Sequence, residues 1–173
     1  MTDAEALYDD LAGVVDLFGA LSRAELRRAL DELAFKQGRD ADAEALSAAV
    51  EDAVREYYLV AYDRDGDGDG AELLVPGPAA FPSLPENAED LPHILDLDRR
   101  TVDRGAAADA ALARLRRDAE AAVRAGDEAR IERLLDVTYD AELWASDGAN
   151  VDVSGETGTD VESVRSRLEA ALD

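Results

Sequence analysis

The sequence predicts a mainly α-helical fold that carries one small β-hairpin. Helical spacing of apolar residues governs most of its 173 residues. The exception is Tyr57-Tyr58-Leu59-Val60-Ala61-Tyr62, a run of β composition. An Asp/Gly turn follows it, and then Glu72-Leu73-Leu74-Val75 as a return strand. Three helices precede this hairpin, and helix, helix, helix, hairpin is the order of a winged helix. The expected organisation is a winged-helix-like domain over 1–76, a Pro-rich connector over 77–97, and a helical region over 98–173. That last region reads as a long helix, a second helix, a loop and a terminal helix. Such an order describes a fold and names no activity.

Thr2-Asp3-Ala4-Glu5 opens the first helix as a capping box, in which the Thr hydroxyl and the Glu carboxylate satisfy each other's backbone N–H. Leu7, Leu11, Val14, Val15 and Phe18 follow at helical spacing, so this helix is expected over about 3–19. Gly19-Ala20-Leu21 turns the chain into a second capping box, Ser22-Arg23-Ala24-Glu25, with Leu21 and Leu26 placed for a hydrophobic staple. Leu26, Leu30 and Leu33 then repeat at i, i+4, i+7 as far as Gly38. Asp40 or Asp42 opens the third helix, whose inner face is Leu46, Val50, Ala53, Val54 and Tyr57. All five prolines lie between Pro76 and Pro92. Each removes a donor and restricts its predecessor, which makes the stretch irregular. Phe81, Leu84 and Leu91 are expected to pin it down. Beyond it, a helix from about Asp98 to Ala125 carries the stripe Ala108, Leu112, Leu115, Ala119 and Ala122. Gly126 stops that helix and Asp127 caps the next, which presents Ile131, Leu134, Leu135 and Thr138, with Leu143 and Trp144 near its end. Residues 146–159 are polar and Gly-rich and read as a loop. Thr159-Asp160-Val161-Glu162 is a third capping box, and Val161, Val164, Leu168 and Leu172 form the face of the terminal helix.

Charge sets the environment. There are 41 acids against 18 bases, a net charge of −23, and the only lysine is Lys36. A thermophile would enrich Lys and Glu, whereas 25 of these acids are Asp. Dense carboxylates with almost no Lys point to high internal salt, where the Debye length falls to about 3 Å at ~1 M and self-repulsion is screened. A GC-rich genome also favours Arg, Ala and Asp, but does not explain so large an imbalance. No cysteine is present, which excludes disulfides, thiolate metal sites and thiol nucleophiles. The N-terminus lacks a basic signal region and no run approaches the ~18 apolar residues of a membrane span, so a soluble cytoplasmic protein is expected, with no membrane partner. The stretch from Leu11 to Leu26, Leu-Ala-Gly-Val-Val-Asp-Leu-Phe-Gly-Ala-Leu-Ser-Arg-Ala-Glu-Leu, resembles an uncharacterised family of small acidic proteins from haloarchaea, and the similarity extends over most of the chain. That resemblance implies a salt-rich setting and leaves the activity open.

Asp63-Arg64-Asp65-Gly66-Asp67-Gly68-Asp69-Gly70 is the candidate cation site, with Asp63, Asp65, Asp67 and Asp69 as its ligands. It offers acids at positions 1, 3, 5 and 7 of a calcium loop and Gly at position 6. Leu74, however, stands at position 12, where a bidentate Glu is needed, and the flanks are strands rather than helices. A tight Asp/Gly hairpin tip is the plainer reading. DNA binding is what the fold invites, since the later helix of such a domain enters the major groove. Here that helix exposes Glu44, Ser47, Ala48, Glu51, Asp52 and Arg55, and the hairpin carries four Asp against one Arg. Residues 99–133 alone are not acidic, at +2, against −17 for 1–98 and −8 for 134–173. In that segment Arg100, Arg114, Arg117 and Arg124 read as a solvated face laced with ion pairs, or as a dock for an acidic partner or nucleic acid. His93 is a lone connector histidine, and no phosphate loop, H-E-x-x-H or G-x-S-x-G is present. Tyr57, Tyr58 and Tyr62 read as core and hairpin-base packing. The expectation is a non-catalytic regulatory or protein-interaction module of a halophilic cytoplasm, with no cofactor and another protein as partner. The alternative is a winged-helix DNA-binding transcription regulator.

Overall fold

The first helix, α1 (Asp3–Phe18), starts at the expected capping box: Thr2 Oγ1 accepts from Glu5 N at 3.1 Å, and the Glu5 carboxylate accepts from Thr2 N at 2.6 Å. The chain, seen in a computed structural model that describes residues 1–63, 72–147 and 157–173, divides into two units, Met1–Asp103 and Arg104–Asp173. It is mainly helical with one two-stranded antiparallel hairpin.

In the first unit α1 is followed by α2 (Arg23–Lys36), α3 (Ala43–Arg55), β1 (Leu59–Asp63) and β2 (Glu72–Pro76). Leu11, Ala12, Val14, Val15 and Phe18 are all buried, so α1 is covered on adjacent faces by α2, α3 and β2. The second capping box forms as well. Ser22 Oγ accepts from Glu25 N at 3.2 Å, and Leu21 and Leu26 on either side are fully buried. Asp42 rather than Asp40 caps α3, taking the N–H groups of Glu44 and Ala45 at 3.1 and 3.2 Å. Val50, Ala53 and Val54 are buried on that helix, whereas Leu46 is only half-buried.

The strand register pairs Leu59 with Pro76 and Asp63 with Glu72. It begins two residues later than the β-rich run suggests, because Tyr57 takes a left-handed conformation, φ 66°. Tyr58 N donates to Ala53 O at 2.9 Å and Tyr57 N to Val54 O at 3.2 Å, the paired bonds that close a helix C-terminus. Burial of the Tyr57 ring, 1% exposed, offsets the strain of holding a bulky residue there. Tyr58 and Tyr62 are buried too, and the Tyr58 ring lies 5.2 Å from that of Tyr8. Leu21 adds a single bridge to the far edge of β2, exchanging both backbone bonds with Leu74 at 3.1 and 2.7 Å. The Asp/Gly turn between the strands lies outside the described residues.

The Pro-rich connector packs as part of the first unit, and the division falls at 103/104 rather than within 77–97. Leu91 is fully buried, in the short helix α4 (Leu91–Leu95) that packs on α2. Phe81 and Leu84, expected as pins, are 79% and 45% exposed. Backbone bonds hold that stretch instead. Phe81 N donates to the buried Asp9 carboxylate at 2.9 Å, and Ser83 N donates to Asp9 O at 3.0 Å. Gly13 allows this close approach, since a Cβ there would sit 1.9 Å from Ser83 O. Gly13→Ala is therefore expected to destabilise by about 1–3 kcal/mol, although the same change in an open helix would stabilise by ~1 kcal/mol. Thermal melts of the two proteins at equal salt check the sign.

The second unit is α5 (Arg104–Ala125), α6 (Glu128–Asp147) and α7 (Thr157–Leu172), each packed on the other two. The long helix starts at Arg104 rather than near Asp98. Ala107, Ala111, Leu112, Leu115, Ala119 and Ala122 are its buried stripe, with Ala108 half-buried beside it. Asp127 caps α6, accepting from Arg130 N at 3.1 Å. Ile131, Leu134, Val137, Thr138, Val161, Val164 and Leu168 complete the core, while Leu135 is half-buried, Leu143 is 72% exposed and Leu172 38%. The expected loop over 146–159 falls largely outside the described residues. α7 begins at Thr157, so Thr159 lies within the helix and not before it.

Candidate functional site

The face made by α2, α3 and the hairpin is where this order of elements would meet a nucleic acid. Glu44, Ser47, Ala48, Glu51, Asp52 and Arg55 are all exposed along α3, and Asp63 and Glu72 are exposed at the hairpin. Basic residues do reach this face, from α2, but acids hold them. Arg23 Nε donates to Glu51 at 2.6 Å and its Nη1 donates to Glu72, so one guanidinium ties three elements together. The Glu51 hydrogen bond, reinforced by Glu72, holds the Arg23 guanidinium above its usual range. Arg27 Nη1 donates to Ser47 Oγ at 3.1 Å and its Nε lies 3.7 Å from Asp31. Arg55 sits 3.9 Å from its neighbour Glu56. A phosphate approaching here meets exposed carboxylates with their cations already engaged. Sequence spacing gave no sign of the Arg23 tie, because its partners lie 28 and 49 positions away.

Asp63 is the last residue of β1, exposed and paired across the ladder with Glu72. Asp65, Asp67 and Asp69, its companions in the candidate cation site, lie outside the described residues. Among the described residues no three His, Asp or Glu side chains gather closely enough to hold a metal ion. His93 is exposed on α4, where its backbone N–H bonds Asp90 O at 3.1 Å.

The Arg-rich segment divides into two roles. In the second unit Arg116 meets Asp160 at 2.6 Å, Arg114 and Arg130 flank Asp118 at 3.5 and 3.6 Å, and Arg167 reaches Glu120 at 3.3 Å. Arg165 donates to Thr138 Oγ1 and O at 3.1 and 3.2 Å and to Glu142 at 2.7 Å, with its guanidinium 4.1 Å from the Tyr139 ring. These contacts link the three helices to one another. Arg117 and Arg124 are exposed on α5.

Arg99 and Arg100 serve the first unit. Arg99 Nη1 donates to Asp16 O at 2.7 Å and Leu17 O at 3.3 Å, and Arg100 N donates to Phe18 O at 2.8 Å, which satisfies the last carbonyls of α1. Gly19, at φ 80°, leaves room for this, since a Cβ would lie 2.2 Å from Arg100 O. The Arg100 guanidinium grips Glu25 bidentately at 2.6 and 2.7 Å while that carboxylate also caps Ser22 N at 2.9 Å. Arg100 is the main reason the Glu25 carboxyl is held below its usual range. A depressed carboxyl stabilises the fold above its unfolded value near ~4.3, and that stabilisation is lost as pH falls through the folded value. Glu25→Gln is expected to cost about 1.5–3 kcal/mol near neutrality and to flatten the acid side of the stability profile below pH ~4.3. Melting curves from pH 3 to 7 at fixed salt read both effects.

Residues 9–173 match the family of unknown function DUF7109. The chain belongs to that family. Its match spans both units, so the face and the latches just described fall inside the family's extent. No curated protein and no solved structure matches the chain. None of the described helices is long and apolar enough to cross a membrane.

Proposed function

We propose that this DUF7109 chain is a non-catalytic regulatory or protein-interaction module of a halophilic, haloarchaeal cytoplasm, built on a winged-helix-like first unit. The carrying observation is Arg23 clasped between Glu51 and Glu72 on an otherwise acidic α3 and hairpin face. Such a face repels phosphate and suits a protein surface able to compete for those carboxylates. The net charge of −23 supports the salt-rich setting. The test has two arms. Duplex DNA of random and genomic sequence, titrated by fluorescence anisotropy at ~0.1 and ~1 M KCl, is expected to form no sequence-dependent complex. Crosslinking in salt-adapted cells should capture one recurrent protein, and Ala48→Arg on the exposed face of α3 should abolish that capture.

A DNA-binding transcription regulator is the second reading. Leu21 bridging to Leu74 favours it, because a short strand between the first two helices, joined to the hairpin, is how a winged helix completes its sheet. A sequence-dependent duplex complex that survives ~1 M KCl decides for this reading and against the first.

A further inference from the structure

A cavity of about 330 Å³ opens in the first unit between α1, α2 and the segment that leads into α3. That volume falls at the lower end of the ~300–1,000 Å³ typical of ligand pockets. Leu7, Leu11, Leu30, Leu33 and Leu46 supply its apolar lining, and Pro85 and Glu86 of the connector close one side. Leu7 is 41% exposed and Leu46 half-buried, so apolar surface that helical packing ordinarily hides faces the opening here. The connector is tied at fixed points around it. Ser83 Oγ donates to the Asp10 carboxylate at 3.0 Å, Gln37 Nε2 to Glu86 O at 3.1 Å, and Lys36 Nζ to Asn87 O at 3.3 Å. These bonds tie the connector to α1 and to the C-terminal end of α2.

The rim selects a charge. Asp10, Asp40, Asp42 and Glu86 line the cavity against a single base, Arg39. Arg39 keeps its charge while donating Nη2 to Gln37 Oε1, and four carboxylates against one guanidinium leave the lining at −3. The N-terminus of α3 would attract an anion, but the Asp42 carboxylate already takes its Glu44 and Ala45 N–H groups. The last turn of α2, also in the wall, presents the negative end of its dipole, and Lys36 of that turn is outside the lining, bonded to Asn87 O and 3.7 Å from Asp90. Molar salt screens distant charges and leaves those in contact, while apolar burial keeps its strength.

We propose that this cavity binds a small organic cation, an apolar body bearing one ammonium group, with the body against the leucines and the charge at the Asp40 and Glu86 rim. The site asks nothing of α3's outer face, so it stands whether the chain's output is a protein contact or DNA.

Isothermal titration at ~2 M KCl with three probes of one shape tests it: 3-phenylpropylammonium, 3-phenylpropanol and 3-phenylpropanoate. The ammonium should bind saturably at 1:1, about 2–5-fold more tightly than the alcohol, the size of an exposed ion-pair contribution, and the carboxylate most weakly. Ala45→Trp, at an exposed position on the wall, should block all three. Asp40→Asn with Glu86→Gln, both exposed, should keep the alcohol and remove the ammonium's advantage; this variant tests the site even if Ala45→Trp fails to fold. No saturable ammonium binding, equal binding of the carboxylate, or an ammonium preference that survives the double variant would overturn the proposal.

Discussion

Dilution from ~2 M to ~20 mM NaCl is expected to unfold or loosen the protein, the first unit before the second. At ~1 M the Debye length is about 3 Å, and by ~20 mM it exceeds roughly 20 Å, so carboxylates on opposite sides of a small unit come to repel one another. Residues 1–98 sum to −17, and the bases among them are few. The exposed clasps at Arg23, with side chains 38–59% accessible, are too weak to resist that repulsion. Residues 134–173 carry only −8, against the +2 of 99–133, and the guanidiniums of α5 and α7 sit beside acids of the second unit. Trp144, the single tryptophan, belongs to the second unit, while four of the five tyrosines, Tyr8, Tyr57, Tyr58 and Tyr62, are buried or half-buried in the first and the exposed Tyr139 alone belongs to the second. Tryptophan emission and near-ultraviolet tyrosine dichroism should therefore change at different salt concentrations. Full helicity and unaltered tyrosine signals at ~20 mM NaCl would show that the charge is tolerated without screening.

Leu26→Ala and Leu30→Ala, one turn apart on α2, are expected to cost different amounts within the ~2–5 kcal/mol range of buried leucine truncations. Leu26 is fully buried beside the second capping box, which puts its cost near the top of that range. Leu30 is 8% exposed and lines the cavity, so part of its surface already lacks a packing partner, and its cost falls near ~2 kcal/mol. Denaturant titrations at fixed molar salt separate the two. Equal costs would mean that the cavity wall relaxes onto Leu30 in solution.

Features encoded within three or four residues are legible in the sequence. The capping boxes at Thr2 and Ser22, the Asp127 cap and the leucine face of α2 depend on neighbours along the chain, and they form as read. Tyr57 misled because its composition belongs to strands while its position closes a helix, and burial of its ring outweighs its backbone preference. Phe81 and Leu84 misled for the opposite reason. Their hydrophobicity promised anchoring, but the stretch is fixed by its own backbone bonding to Asp9, which hydropathy does not register. Arg100 reads from the sequence as part of a solvated helical face, whereas its partner Glu25 lies 75 residues earlier. Charge sign on α3 was readable from sequence; the clasp that engages Arg23 depends on which helix crosses which, and so was not.

The latch formed by Arg99 and Arg100 on the end of α1 bears on how the polypeptide is made. Glu25 and the carbonyls of Asp16 to Phe18 leave the ribosome long before their partners. At ~5–20 residues per second, the stretch from residue 77 to 100 takes about 1–5 s to follow the hairpin. During that interval the leucines of α1 to α3 have been synthesised and the closing segment has not. A chain released with its stop at residue 76 would hold α1 to α3 and both strands of the hairpin and still be denied its final clasp. Synthesis order thus leaves residues 77–103 as the last part of the first unit to arrive.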